Sequence, residues 1–78
     1  MSVLKYELTE ETMEWNGHTL HRIRALKDVR KGVYIGDLGG FIESEDNLSQ
    51  EGECWVYSSD EGDSKAYGNA IIKDDAYI

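Results

Sequence analysis

The feature that most restricts what this chain can fold into is a six-residue period near its C-terminal end. Residues 52–57 (GECWVY) are followed, after a four-residue insertion at 58–61, by 62–67 (GDSKAY), 68–73 (GNAIIK) and the shorter run 74–78 (DDAYI). The third position of each six is small (Cys54, Ser64, Ala70, Ala76) and the fifth is apolar (Val56, Ala66, Ile72, Ile78). A helix would repeat at 3.6 residues and a simple strand at two. A beat of six, with Gly, Asn or Asp at the corners, predicts short strands stacked as successive faces of a β-helix. With three faces to a turn, about one and a third turns fit this region. Ile78 falls on an inward-facing position, so the last edge is expected to be exposed, or covered by the N-terminal segment, a second copy or a partner.

Upstream the period shortens to two. Leu4, Tyr6 and Leu8 alternate with polar neighbours, which predicts a strand over residues 3–9. Asn16-Gly17 between two strand-like runs predicts a hairpin with a type I′ turn. That register sets Trp15 opposite His18, Met13 opposite Leu20 and Glu11 opposite Arg22. His18 is then expected to stack on Trp15, and His21 to lie opposite Thr12, both as structural residues. Residues 25–31 read as a turn or short helical segment, and 32–36 as a short strand. Asp37-Leu38-Gly39-Gly40 is not followed by the Gly-Lys-Ser/Thr of a phosphate loop, so its glycines are read as a chain reversal before Phe41. The expected architecture is mainly β and a single domain, with strands and a hairpin over 1–48 leading into a β-helix stub over 49–78.

Charge is distributed unevenly along this framework. The 78 residues carry sixteen carboxylates against eight Lys and Arg. Between residues 32 and 64 there is no Lys, Arg or His, while Asp37, Glu43, Glu45, Asp46, Glu51, Glu53, Asp60, Glu61 and Asp63 are all acidic. Such a band repels nucleic acid and anionic lipid and steers toward a basic partner, so direct DNA or RNA binding and membrane binding are not expected. The chain has no apolar run of membrane-spanning length and no apolar leader, and its single cysteine suits a reducing compartment. These features predict a cytoplasmic protein. His18, His21 and Cys54 lack zinc-ligand spacing, and Asp60-Glu61-Gly62-Asp63 and Asp74-Asp75 lack the ligand spacing of a calcium loop. No metal or cofactor is expected.

Several stretches resemble a known N-terminal module: Tyr6-Glu7-Leu8-Thr9, Asn16-Gly17, Arg22-Ile23-Arg24-Ala25-Leu26, Gly36-Asp37-Leu38-Gly39-Gly40-Phe41-Ile42-Glu43, Asn47-Leu48-Ser49 and Cys54-Trp55-Val56-Tyr57. The module is similar to the opening of phage- and prophage-encoded proteins that continue as long Tyr-Gly-Asn/Asp-Ala β-helical repeats, including bacterial proteins labelled hexapeptide-repeat acyltransferases. The resemblance implies a β-helix stub of either hand and a mobile-element origin. Acyltransferases of that class use a histidine on a coil and a cleft between long coils. No histidine follows His21 here, so no transferase activity and no catalytic residues are expected.

Two functions remain. The first is inhibition of a basic, nucleic-acid-binding host defence complex such as a CRISPR effector, whose Arg and Lys sites the carboxylates would occupy. Glu43, Glu45, Asp46, Glu51, Glu53, Asp60, Glu61 and Asp63 would supply charge, with Phe41, Trp55, Tyr57 and Tyr67 as anchors. The alternative is a structural assembly module, a homodimer or larger oligomer formed through Ile72, Tyr77 and Ile78.

Overall fold

The computed structural model describes residues 4–58 and 62–78. Its framework is one four-stranded sheet in the order β1-β2-β3-β4: β1 (Tyr6–Trp15), β2 (His18–Ala25), β3 (Leu38–Ile42) and β4 (Lys65–Ala66). A 3₁₀ turn, Glu45–Asn47, is the one helical element among the described residues. The protein is therefore mainly β.

The hairpin forms in the expected register. Trp15 pairs with His18, Met13 with Leu20 and Thr12 with His21, and Asn16 and Gly17 take the positive φ values, 49° and 83°, that a type I′ turn demands. Arg22 donates from Nε to Glu11 at 2.7 Å. The first strand, however, does not stop at residue 9. It runs on to Trp15 because the register slips between Leu8 and Thr12, and the Thr9 hydroxyl fills the gap by donating to the Arg22 carbonyl at 2.9 Å. Alternation also fails at the start, since Leu4 is half exposed and both Lys5 and Tyr6 are fully buried.

Two other expectations are corrected. Residues 32–36 form tight turns, not a strand: Val33 donates to the Arg30 carbonyl and Gly36 to the Ala25 carbonyl, with positive φ at Gly32 and Gly36. Gly39 and Gly40 do not reverse the chain; they lie inside β3. A Cβ on Gly40 would stand 2.2 Å from the Ser64 carbonyl oxygen, and one on Gly39 2.6 Å from that of Val56. Glycine is required here because two other backbones pass against the strand.

β3 is the hinge of the architecture. On one side it pairs antiparallel with β2, and on the other it pairs parallel with β4 (Phe41 with Lys65, Ile42 with Ala66). Further on, Leu48 pairs with Ile72 and Trp55 with Tyr77, both parallel. The chain from 65 to 78 thus retraces the path of the chain from 41 to 56 at three successive places. The apolar fifth positions Val56, Ala66 and Ile72 point inward, whereas Ile78 is 47% exposed. Tyr6, Ile23, Ile42, Leu48, Cys54, Trp55 and Val56 make the centre of one core that joins the hairpin to this second region. Tyr6 meets Trp55 edge to face, with ring centroids 6.4 Å apart. The Tyr6 hydroxyl donates to the Leu48 carbonyl. Burial first, then the charges of Glu45, Cys54 and Asp46, push its pKa well above the usual phenol range.

Candidate functional site

The expected stacking of His18 on Trp15 does not occur. Lys65 lies over the Trp15 ring, 4.5 Å from its centroid, and His18 packs on Tyr67 with centroids 4.9 Å apart. His18 Nδ1 stands 2.8 Å from Glu43 Oε2, and the other Glu43 oxygen accepts the Gly68 amide at 2.9 Å. Glu43 follows β3 directly, so the sheet brings it beside the first residue of β2 although the two are 25 positions apart. The hydrogen bond to His18, then the Gly68 amide, hold the Glu43 carboxyl below its ordinary pKa. A carboxylate hydrogen-bonded to one ring nitrogen fixes the orientation of the imidazole. Among the described residues no hydroxyl or thiol hydrogen-bonds to this ring.

Other members of the acidic band are also committed internally. Asp63 accepts from Arg22 Nη2 at 3.1 Å, and its carboxyl is held below the usual range by a hydrogen bond from Ser58 and then by Arg22. Burial alone would lower the pKa of Arg22, but hydrogen bonds to Glu11 and Asp63 raise it. Its guanidinium also lies 4.6 Å from the centroid of Phe41.

Asp37 accepts the Tyr34 amide at 2.9 Å, and the other described carboxylates of the band lie at two corners. Ser44 caps the turn Glu45–Asn47 through a capping box, which fixes Glu45 and Asp46 outward at the first corner. Asp46 borders a shallow groove of about 260 Å³ with Gly68, Asn69, Ala70 and Ile71. At the next corner Glu51 and Glu53 flank Gly52, which has φ +76° and whose added Cβ would meet the Asp74 carbonyl oxygen at 2.6 Å. Glu53 donates its amide to that same carbonyl at 3.0 Å. The retracing chain thereby sets Asp74 and Asp75 against Glu51 and Glu53. None of Glu45, Asp46, Glu51, Glu53, Asp74 and Asp75 makes an ion pair among the described residues. Arg30 reaches this second corner, yet it donates to the Glu53 and Asp75 carbonyls and lies over Tyr77. Asp60 and Glu61 lie outside the described residues.

The proposed aromatic anchors divide. Trp55 and Phe41 are 1% and 4% exposed, so both are core residues and cannot serve as surface anchors. The fourth position of the six faces inward at Trp55 because the Tyr6 ring and the hairpin close over it. Tyr57 and Tyr67 are half-buried. Of the expected oligomer contacts, Ile72 is buried under the pairing with Leu48, while Tyr77 and Ile78 are exposed.

One buried group gave no signal in the sequence. Lys5 is fully buried, and its Nζ lies 2.8 Å from the Cys54 carbonyl oxygen, 3.1 Å from Cys54 Sγ, and 3.4 and 3.5 Å from the carbonyl oxygens of Glu51 and Gly52. Among the described residues no three His, Cys, Asp or Glu side chains converge as metal ligands, and no helix is long and apolar enough to cross a membrane.

The architecture is thus a small β protein with an antiparallel cap and a parallel second pass, and no family model matches its sequence. It is similar to the uncharacterized acetyltransferase YdcK of Escherichia coli (strain K12), 33% identical over 82 aligned positions. The alignment takes in 95% of this chain and 24% of that protein, so the chain spans about a quarter of its relative's length. The similarity is consistent with a relationship to hexapeptide-repeat acetyltransferases.

Proposed function

We propose that this chain is a non-enzymatic binding protein from a mobile genetic element, and that the unpaired carboxylates at its two corners occupy a basic surface on another macromolecule. The most concrete partner is a nucleic-acid-binding defence complex of the bacterial host, such as a CRISPR effector in the cytoplasm. The observation that carries this reading is the placement of Glu45 and Asp46 at one corner, and of Glu51, Glu53, Asp74 and Asp75 at the next, with none of these carboxylates in an ion pair among the described residues; Arg30 and Lys5 approach the second corner only at its backbone carbonyls. Charges held on capped or stacked backbone need little ordering on binding, which favours a cationic site built for regularly spaced phosphates. The relative's name attaches acetyl transfer to that longer protein. Support for the non-enzymatic reading here is that no hydroxyl or thiol among the described residues hydrogen-bonds to the His18 ring, on which the Tyr67 ring packs.

The test is competition with target DNA for a purified effector complex. The chain is expected to block DNA binding, and Glu51→Lys with Glu53→Lys is expected to weaken the block at least about tenfold. Inhibition that is unchanged by these substitutions, and equal at low and high salt, would refute the reading.

A second reading rests on the edge beyond β4. We infer that residues 41–56 and 65–78 are the first turns of a β-helix, capped at one end by the hairpin and able to accept a further coil at the other. Its support is the run of three parallel pairings together with the exposed Ile71, Tyr77 and Ile78. Sedimentation at micromolar concentration separates the two, since a strict monomer leaves self-assembly without a mechanism.

A further inference from the structure

The geometry points to a redox-modifiable pair, Lys5 and Cys54, that closes into a covalent nitrogen–sulfur crosslink when the thiol is oxidised by a hydroperoxide. A buried cysteine is ordinarily an inert packing residue, and a buried lysine ordinarily faces a carboxylate. Neither holds here. Both residues are fully buried, and every partner of Lys5 Nζ is a backbone carbonyl except one, Cys54 Sγ at 3.1 Å. Among the described residues the sulfur has two other hydrogen-bond partners, the carbonyl oxygens of Ser49 at 3.5 Å and Glu51 at 3.6 Å. Among the described residues the Lys5 nitrogen is therefore the amine placed to intercept an oxidised sulfur, at the separation of reacting atoms in a near-attack arrangement.

The chemistry balances with one equivalent of peroxide. The Cys54 sulfur attacks the peroxide O–O bond and becomes a sulfenic acid, releasing one water. The Lys5 nitrogen, having released the extra proton of its ammonium form to solvent, attacks that sulfur. The S–O bond breaks, the departing hydroxide takes a proton from the nitrogen, and a second water leaves. The sulfur has lost two electrons and the peroxide has gained them. Glu51 and Gly52, which cover the pair, are exposed turn residues, so opening of that turn admits a small oxidant.

The crosslink would join the residue that precedes β1 to a residue 49 positions later. Closing a loop of that size is expected to raise the thermal midpoint by about 10 °C, as a native disulfide would. The test treats the intact wild-type protein with one equivalent of hydrogen peroxide and follows mass, peptide linkage and melting. A product about 2 Da lighter, with the Lys5 and Cys54 peptides joined and separated again by dithiothreitol, is the expected result. Lys5→Met and Cys54→Ser should each abolish the linkage. The peptide map of the wild type decides the matter even if those variants fail to fold. Recovery of Lys5 in its own unmodified peptide, with Cys54 either still a thiol or carried on to sulfinic or sulfonic acid, would overturn the proposal.

Discussion

The two regions of the molecule handle charge in opposite ways. In the hairpin, cations and anions meet across a long antiparallel register: Arg22 bonds to Glu11 and Arg24 to Glu7. In the second region the strands are one or two residues long, the pairing is parallel, and side chains leave the backbone mostly at corners. Corners made of Gly, Asp and Glu put carboxylates outward without ion-pair partners among the described residues, although the Gln50 amide donates to Glu45 at 3.0 Å. What the difference teaches is that the hairpin's charges are paired, within it and with Glu43 and Asp63 of the second region, while the second region packs through its core and leaves its corner carboxylates without side-chain ion pairs among the described residues.

The largest effect should come from wedging the two regions apart. Gly40→Ala places a methyl group against the Ser64 and Tyr57 carbonyls, neither of which can yield without breaking the pass that β3 shares with both regions. A loss of upwards of about 3 kcal/mol is expected in urea denaturation. Trp55→Ala removes the ring on which Tyr6 and the core converge, for about 3–5 kcal/mol. If either substitution melted only the second region and left the hairpin's circular dichroism intact, the single shared core would be wrong.

Tyr6→Phe should cost about 1–2 kcal/mol, because the buried Leu48 carbonyl loses its donor. It also sharpens the pH behaviour. The folded pKa of Tyr6 lies above its ordinary value of 10.0, so its contribution is complete below that pH and declines as pH rises toward the folded value. Wild-type stability should therefore fall above about pH 10, and the Phe variant should lose that alkaline slope.

On the acid side the sign reverses. Glu43 and Asp63 are held below their ordinary values, by His18 with Gly68 and by Ser58 with Arg22. Their contribution is present above the unfolded carboxyl range and disappears as pH falls through the lowered folded values. Glu43→Gln and Asp63→Asn should each flatten the acid limb of a midpoint-against-pH curve. Glu51→Gln, which alters an exposed carboxylate with no ion pair, should shift stability by less than about 0.5 kcal/mol.

Local signals made the hairpin legible in the sequence. Asn16-Gly17 dictates its turn and thereby the partners of Trp15, Met13 and Glu11, because two left-handed residues between alternating runs permit little else. The inward positions Val56, Ala66 and Ile72 were also readable from the six-residue beat. Contacts between segments far apart in the chain were not readable. Glu43 meets His18, Gln50 meets the Lys5 amide, and Lys5 reaches Cys54, each across more than 20 positions. Nothing in the local pattern distinguishes Gly39 and Gly40 from turn glycines, since the backbones that crowd them are those of Val56, Tyr57 and Ser64. Trp55 was read as an anchor for the same reason: its cover, Tyr6, lies almost 50 residues away.

Salt dependence of stability measures most directly whether the two corners hold uncompensated charge. The urea midpoint of the wild-type protein should rise as sodium chloride is raised from about 20 to about 500 mM, because screening relieves repulsion among neighbouring carboxylates. The variant carrying Glu51→Gln, Glu53→Gln, Asp74→Asn and Asp75→Asn should start higher and respond less. A wild-type midpoint that is flat or falls with salt, or a variant that responds as steeply as the wild type, would contradict it.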